Sequence, residues 1–381
     1  MKTVRFAIIG CGLMGREFAS AVARFAHLPR MDVRPELVAI CSPHRTSHAW
    51  FTDHFPTIRQ AAVDHEDVLA NPDVDAVYCA VPHHLHERIY CAAIEAGKHL
   101  MGEKPFGIDE PANQAILASA SRHPQVLVRC SSEFPFFPAA QRIGAMIEGG
   151  AFGRIIEVNA GFLHSSDLDP EKPLNWKRIV EFNGQYGCLG DLGLHVCHVP
   201  FRAGWIPRNV RAVLSKIVAE RPDGRGGRAA CETWDNATLL CETADPSGQY
   251  TFPMLLKTQR IAPGEGNTWY LEVLGTRASA RFSTRNPKRL ERLEYSGGEQ
   301  VWGQIDVGHQ SAFASITGGI FEFGFSDAIL QMWAAFLYEL EHGQPASRFA
   351  GCVTPRETAL SHRLFTAALR SQAGSSVVEV A

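Results

Sequence analysis

The chain has no surplus of charge of either sign: across 381 residues, 37 Lys and Arg stand against 40 Asp and Glu, a net of −3. No Lys/Arg run reaches the length of a polybasic patch, so the sequence carries no electrostatic footprint for a phosphate backbone and nucleic acid is not an expected partner. No stretch approaches the roughly 20 apolar residues needed to span a bilayer, which sets a membrane aside as well. Ten cysteines are present, yet none form a C-x-x-C pair. Several lie in apolar runs such as Val38-Ala39-Ile40-Cys41, a pattern that fits buried, reduced thiols in the cytoplasm better than a disulfide framework. Internal repeats are lacking. The one low-complexity segment, Pro222-Asp223-Gly224-Arg225-Gly226-Gly227-Arg228, reads as a mobile hairpin loop. The apolar run after Lys2 has no signal-type cleavage region behind it and reads as a first strand.

What is present is an ordinary globular balance, with 45% hydrophobic and 20% charged residues, at a length that points to two domains. The strand-like Val4-Arg5-Phe6-Ala7-Ile8-Ile9 runs directly into Gly10-Cys11-Gly12-Leu13-Met14-Gly15, and that loop runs into a helix-like stretch from Arg16 to Ala23. In this context a G-x-G-x-x-G carries a mechanism. Gly10 permits the tight turn, Gly12 lets a pyrophosphate approach the backbone, and Gly15 lets the helix pack on the sheet with its N–H groups toward the anion. The expected ligand is a dinucleotide.

Strand and helix signals alternate up to about residue 131. Leu37–Cys41, Asp75–Val81, Lys98–Met101 and Val126–Cys130 read as strands, and His86–Ala96 as a helix that stops at Gly97. This alternation predicts an α/β domain with a parallel, doubly wound sheet and its ligand at the strand carboxyl ends. From 132 to 381 the strand-like runs follow one another, at Arg154–Phe162, Val210–Val218, Thr238–Thr243, Tyr250–Gln259, Trp269–Leu274, Ala278–Phe282 and Leu290–Tyr295. They predict an α+β domain with a mainly antiparallel sheet. Two amphipathic helices, about 326–341 and 354–370, are expected to pack back near the first domain. The second opens on Thr354-Pro355-Arg356-Glu357, a capping-box signature with Pro at the first helical position.

Three constellations carry chemistry. The run Leu37–Cys41 ends in Ser42-Pro43-His44-Arg45, with no carboxylate where an NAD site usually places one. Ser42 can donate to a 2′-phosphate and Arg45 can pair with it, which points to NADP over NAD, unless Arg45 is simply a solvated residue at a helix start. Glu103-Lys104-Pro105 follows a strand, so Lys104 is placed to hydrogen-bond a substrate hydroxyl or a nicotinamide ribose, with Pro105 possible in the cis form. Alone, the tripeptide is equally an exposed turn. In Asp191-Leu192-Gly193-Leu194-His195, a helix starting near Gly190 puts carboxylate and imidazole on one face, where the acid would orient the ring and raise its basicity. The plain alternative makes Asp191 an N-cap and His195 a core residue.

Taken together, the order and spacing of G-x-G-x-x-G, E-K-P and D-x-x-x-H resemble the glucose-fructose oxidoreductase, inositol dehydrogenase and rhizopine-catabolism (Gfo/Idh/MocA) family. Val81-Pro82-His83-His84-Leu85-His86 is similar to that family's T-P-N-x-x-H, and Ala96-Gly97-Lys98-His99 to its A-G-K-H. The resemblance implies a Rossmann domain, a second domain with a large open sheet used for substrate and oligomer contacts in a dimer or tetramer, and hydride exchange between a nicotinamide and a sugar-like carbon. It implies cofactor contacts at Gly10, Cys11, Gly12, Leu13, Met14, Gly15, Pro82, His83, Glu103 and Lys104. It further implies that Lys104 bonds the reacting hydroxyl, His195 accepts its proton, and Asp191 supports both substrate and histidine. Two departures stand out: His83 occupies the family's asparagine position, and His198 a position that is acidic in many members.

The polar segment from Leu163 to Pro170, continuing to Trp176-Lys177-Arg178, reads as part of a substrate pocket, with Trp176 on a sugar face and Lys177 or Arg178 meeting hydroxyls or a carboxylate. No metal is expected, because the histidines at 83, 84 and 86 have no recognisable acidic or cysteine partner nearby and nicotinamide chemistry needs none. The leading expectation is an NAD(P)-dependent dehydrogenase or reductase acting on a sugar, polyol or keto-sugar. The alternatives are a glycosidase working through transient oxidation with the same fold, and a non-catalytic sugar- or dinucleotide-sensing protein.

Overall fold

The structure, a computed structural model, describes residues 1–306, 311–321 and 323–380. They divide into two compact units. The first takes in Met1–Phe136, Ser311–Gly318 and Gly324–Thr358; the second takes in the described residues of 137–306, 319–323 and 359–380.

In the first unit six strands, β1 (Lys2–Ile9), β2 (Val33–Cys41), β3 (Gln60–Ala62), β4 (Ala76–Cys79), β5 (His99–Gly102) and β6 (Val128–Cys130), form one sheet in the order β3-β2-β1-β4-β5-β6. Every pairing is parallel. The order reverses beside β1, which makes the glycine loop at its carboxyl end a topological switch point, where open α/β sheets bind ligands. The near-continuous apolar character of β1, β2 and β4 follows from being covered on both faces. β3 is too short and too polar to show as an apolar run, and the sequence pattern gave no sign of it.

The chain returns to this unit with the Phe325–His342 helix. Its Trp333 packs against Phe18 with ring centroids 3.7 Å apart, and against Phe6 and Tyr78 at 5.4 and 5.1 Å. Arg24 pairs with Asp327 in its first turn at 2.5 Å. The capping box expected at Thr354 is formed: the Glu357 N–H donates to the Thr354 hydroxyl, and Glu357 Oε2 accepts from the Thr354 N–H at 2.8 Å. The Pro355–Gly374 helix that follows belongs to the first unit up to Thr358 and to the second beyond it.

The second unit holds a nine-stranded sheet, made of β7 (Ile155–His164), β8 (Ile206–Ser215), β11 (Asn236–Ala244), β12 (Thr251–Gln259), β13 (Asn267–Gly275), β14 (Ala278–Ser283), β15 (Arg289–Glu294), β16 (Gly303–Asp306) and β17 (Val378–Glu379). Its order is β16-β15-β14-β13-β7-β12-β11-β8-β17. All pairings are antiparallel except β7 with β12, which run parallel in a register that sets Gln259 opposite Leu163. Both strands therefore release their chains at the same end of the sheet. A small antiparallel pair, β9 (Glu220–Pro222) with β10 (Arg228–Ala230), makes a hairpin of the glycine-rich segment, with Asp223 accepting from the N–H groups of Arg225 and Gly227.

One face of the large sheet carries the Cys188–Arg202 helix, whose residues are buried from Cys188 to Phe201. A helix apolar nearly all round is a core helix, so any polar group on it needs an internal partner. No disulfide joins any of the ten cysteines, nine of which are buried. Among the described residues no helix is long and apolar enough to cross a membrane.

Candidate active site

Gly10 turns the chain out of β1 with φ +107°, and a Cβ there would lie 2.2 Å from the Ala80 carbonyl oxygen, so only glycine fits. Gly15 is equally fixed, since its Cβ would meet the Gly10 carbonyl at 2.3 Å as the Leu13–Ala23 helix leans on the loop. Gly12 differs from both. A Cβ on it meets nothing within 4 Å, and no side chain caps the helix that begins just after it. A space open to the backbone beside uncapped N–H groups is what a pyrophosphate requires, so these residues fit a dinucleotide. Leu13 is exposed and Met14 half-buried beside it. The Cys11 thiol donates to the Cys41 carbonyl at 3.6 Å, tying the loop to the end of β2, and burial pushes its pKa up to about 11. It is a structural thiol.

At the end of β2, Ser42 is buried, with its hydroxyl accepting from the His44 N–H and its carbonyl meeting His48 Nε2 at 3.0 Å. Arg45 stands exposed on the short turn that follows. Beyond β4, Pro82 precedes a turn that buries His83. His86 holds two segments together: its Nε2 meets the Val81 carbonyl at 3.0 Å, and Nδ1 accepts from the Gly107 N–H at 3.4 Å. That assignment makes Nε2 the protonated nitrogen.

The Lys104–Pro105 peptide is cis, and Phe106 after it is buried with φ +70°, an uncommon conformation for a bulky residue. The loop is held by Glu103. Its Oε1 accepts from the Tyr78 hydroxyl at 2.7 Å and from the Ser131 hydroxyl at 2.6 Å, while its carbonyl accepts from the Tyr90 hydroxyl at 2.8 Å. Glu103, expected at the cofactor, is thus anchored inward and fixes the backbone of Lys104. Glu133 is buried in the same unit, and burial, with the Glu103 charge adding to it, pushes its carboxyl up to about 8. The sequence reading missed Glu133, which lies in no motif.

In the second unit Asp191 and His195 lie on the Cys188–Arg202 helix, 1% and 4% exposed. The helix starts at Cys188, two residues before its expected beginning, after Gly187 with φ +57°. A Cβ on Gly193 would meet the Phe365 ring at 2.5 Å, so the motif's glycine is a packing residue. Phe162 sets its ring edge against His195 with centroids 5.4 Å apart, and Trp269 Nε1 donates to the His195 carbonyl at 2.9 Å. The Asp191 carboxylate accepts from Lys177 Nζ at 2.9 and 3.1 Å, and Arg260 Nη1 donates to its Oδ2. Two cations thus meet one carboxylate, an arrangement that favours the ionised form of Asp191.

Trp176 and Lys177 are half-buried, with the ammonium 5.6 Å from the Trp176 ring centre. Arg178 is placed otherwise than the sequence suggested. It is 1% exposed, and its guanidinium is engaged by Asp167 at 3.1 Å and Asp235 at 2.8 Å, because a buried charge must be paired. Its guanidinium is thus turned to those two carboxylates within the second unit. Arg260, which also donates to Asp167 at 2.8 Å, completes a chain of ion pairs running Asp235, Arg178, Asp167, Arg260, Asp191, Lys177. These cations hold the Asp167 carboxyl well below the usual carboxylate range, against the opposing effect of its burial. Nothing in the local sequence marks Arg260.

The sequence profile of the Gfo/Idh/MocA family, an oxidoreductase family with an NAD-binding Rossmann fold, matches residues 4–129. Levoglucosan dehydrogenase of Pseudarthrobacter phenanthrenivorans is 30% identical over 237 residues, which are 61% of this chain and 59% of that enzyme's length. Trans-1,2-dihydrobenzene-1,2-diol dehydrogenase of Mus musculus is 25% identical over 292 residues, 71% of this chain and 81% of the enzyme. A solved structure of levoglucosan dehydrogenase in complex with NADH and L-sorbose matches at a TM-score of 0.88 with 24% identity, covering 100% of both chains, a likeness of fold. The glycine turn, the strand order and the matched profile agree: residues 4–129 form an NAD-binding Rossmann domain of the kind found in the Gfo/Idh/MocA oxidoreductases.

Proposed function

We propose that this chain is an NAD(P)-dependent dehydrogenase or reductase that moves a hydride between a nicotinamide and a secondary alcohol or ketone of a sugar, polyol or keto-sugar. The observation that carries this reading is the nearly buried His195 one helical turn from a carboxylate kept ionised by Lys177 and Arg260. Oxidising a carbinol sends hydride from carbon to the cofactor and leaves the hydroxyl proton to be taken up, so a base is required. Bound nicotinamide supplies the hydride acceptor or donor. His195 takes the proton, Lys104 hydrogen-bonds the reacting oxygen, and the Asp191 carboxylate accepts from a neighbouring substrate hydroxyl. Similarity to enzymes named for levoglucosan and for a diol supports a polyhydroxylated substrate.

On cofactor flavour, the absence of a carboxylate at the end of β2 and the exposed Arg45 support NADP over NAD. The ten cysteines without a disulfide support a cytoplasmic enzyme, and the open sheet supports a dimer or tetramer. The decisive experiment follows absorbance at the reduced-nicotinamide band with NADP and NAD against a panel of sugars, inositols and their keto forms. Turnover of at least one compound is expected. Cofactor binding without turnover on the whole panel sinks the reading in favour of a sensor, and aglycone release from glycosides with no net cofactor change favours the glycosidase.

A further inference from the structure

Arg260 is the first residue past β12, and its guanidinium is a three-way joint. Nη1 donates to Asp191 Oδ2, Nε donates to Asp167 Oδ2 at 2.8 Å, and Nη2 lies 3.3 Å from the Ser166 hydroxyl. Its backbone joins in, the Arg260 carbonyl accepting from the Asp167 N–H at 3.3 Å and the Arg260 N–H donating to the Asp235 carbonyl at 3.0 Å. The joint exists because β7 and β12 run parallel with Gln259 opposite Leu163, so the residues after each strand emerge side by side.

The segment reached by Arg260 is otherwise held by cations that bind its backbone. Arg221, 1% exposed, donates to the carbonyls of Asp167 and Asp169 at 2.5 and 2.6 Å, and Lys172 donates to the Ser166 carbonyl at 2.6 Å. The Asp167 side chain is met by Arg260, Arg178 and Lys172. Of these, Arg260 alone also binds Asp191, so one planar group sets the carboxylate on the helix and the polar segment after β7 in fixed register. A guanidinium suits this task because its donors diverge in a rigid plane, whereas an ammonium offers a compact point of charge.

We propose that Arg260 is the positioning residue of the substrate site: it aligns Asp191 for the reacting sugar and locks the Leu163–Pro170 segment, through Ser166 and Asp167, against the same ligand. The proposal rests on the oxidoreductase reading of Asp191. It gives Arg260 no contact with the reacting atoms.

The test compares wild type with Arg260→Met and Arg260→Lys in the full chain, measuring kcat and KM on the best compound of the panel, sugar binding by calorimetry, NADPH and NADH binding, and thermal unfolding. Misaligned catalytic groups cost about 100-fold, so kcat/KM falls by about that factor in Arg260→Met, with kcat reduced as well as KM raised. Cofactor affinity stays within about twofold of wild type, because every group Arg260 touches lies in the second unit. Arg260→Lys keeps the charge against both carboxylates and recovers about tenfold of the loss. An Arg260→Met enzyme within about threefold of wild type overturns the proposal, as does a folded, cofactor-binding Arg260→Lys no better than Arg260→Met. If Arg260→Met does not fold, the lysine variant decides: a folded Arg260→Lys with wild-type kcat and KM overturns it. If wild type binds a sugar without turning it over, the oxidoreductase reading fails and the affinity ratio between wild type and variants still tests Arg260. Equal sugar affinities then overturn the proposal, and binding of no sugar at all overturns both.

Discussion

The two units present their candidate site residues by different means. In the first, the candidate surface is backbone: a glycine turn with no room for a Cβ at Gly10 or Gly15, open space at Gly12 and uncapped helix N–H groups. In the second, it is charge: Asp191 inside an apolar helix, kept ionised by Lys177 and Arg260 and braced by Asp167, Arg178 and Asp235. Backbone sites are specified by a few adjacent residues, whereas a buried charge network is specified only when strands distant in sequence are brought to one edge. The first half is brittle to added bulk and the second to lost charge.

The contrast is sharpest at His195. General acid–base catalysis contributes about 100- to 10,000-fold, so His195→Asn lowers kcat by about a thousandfold while NADPH and NADH binding is retained. Steady-state kinetics beside cofactor quenching of tryptophan fluorescence checks this; an active His195→Asn enzyme would remove the proton acceptor from the scheme. Gly10→Ala strikes the other half. An added Cβ must displace the Ala80 carbonyl and endure φ +107°, and the change destabilises the fold by about 1–3 kcal/mol and weakens both cofactors alike. Denaturant unfolding and cofactor titration read the two effects, and a variant with wild-type affinity would show that the loop does not carry the pyrophosphate.

Arg45→Ala probes a side chain set beside that backbone. Losing a charged hydrogen bond weakens NADPH by about tenfold and leaves NADH unchanged. Equal preference before and after the substitution defeats the Ser42 and Arg45 reading. A last test concerns Glu133, a buried acid of the first unit. Glu133 binds its proton up to about pH 8 in the folded chain against an ordinary carboxyl value of 4.5, so the unfolded chain holds fewer protons between those values. Stability therefore falls as pH rises from about 4.5 to about 8 on this account, and Glu133→Gln flattens that slope. Unfolding midpoints at pH 5 and pH 8 for wild type and variant would show it, and identical slopes would mean that Glu133 is not held protonated.

Much of the first unit was legible because its signals are local. Gly10, Gly12 and Gly15 fall within six residues of each other, the β1, β2 and β4 runs are apolar because both sheet faces are covered, and Thr354 to Glu357 spells its own cap. β3, at Gln60–Ala62, was not legible, since three residues bearing a glutamine carry no periodicity. The large sheet was readable as a series of strands but not in its pairing. Alternation reveals which side of a strand is buried, while the parallel partnership of β7 and β12 depends on how the strands between them in sequence are placed.

The same division runs through the charged residues. Asp191 and His195 announced themselves by spacing along one helix, and Lys177 and Arg178 by a polar cluster, yet adjacency in sequence said nothing about which of those two cations is buried. The short turn at Trp176–Arg178 sends Lys177 to Asp191 and Arg178 inward to Asp167 and Asp235. By itself, then, the sequence determined a glycine loop between strand and helix, the alternation that makes a doubly wound sheet, and an acid and an imidazole four residues apart, all of which rest on turn geometry and helical or strand period. Only the tertiary structure decided what holds Asp191, because Arg260 lies 69 residues away and reaches it through a strand register that no local pattern encodes.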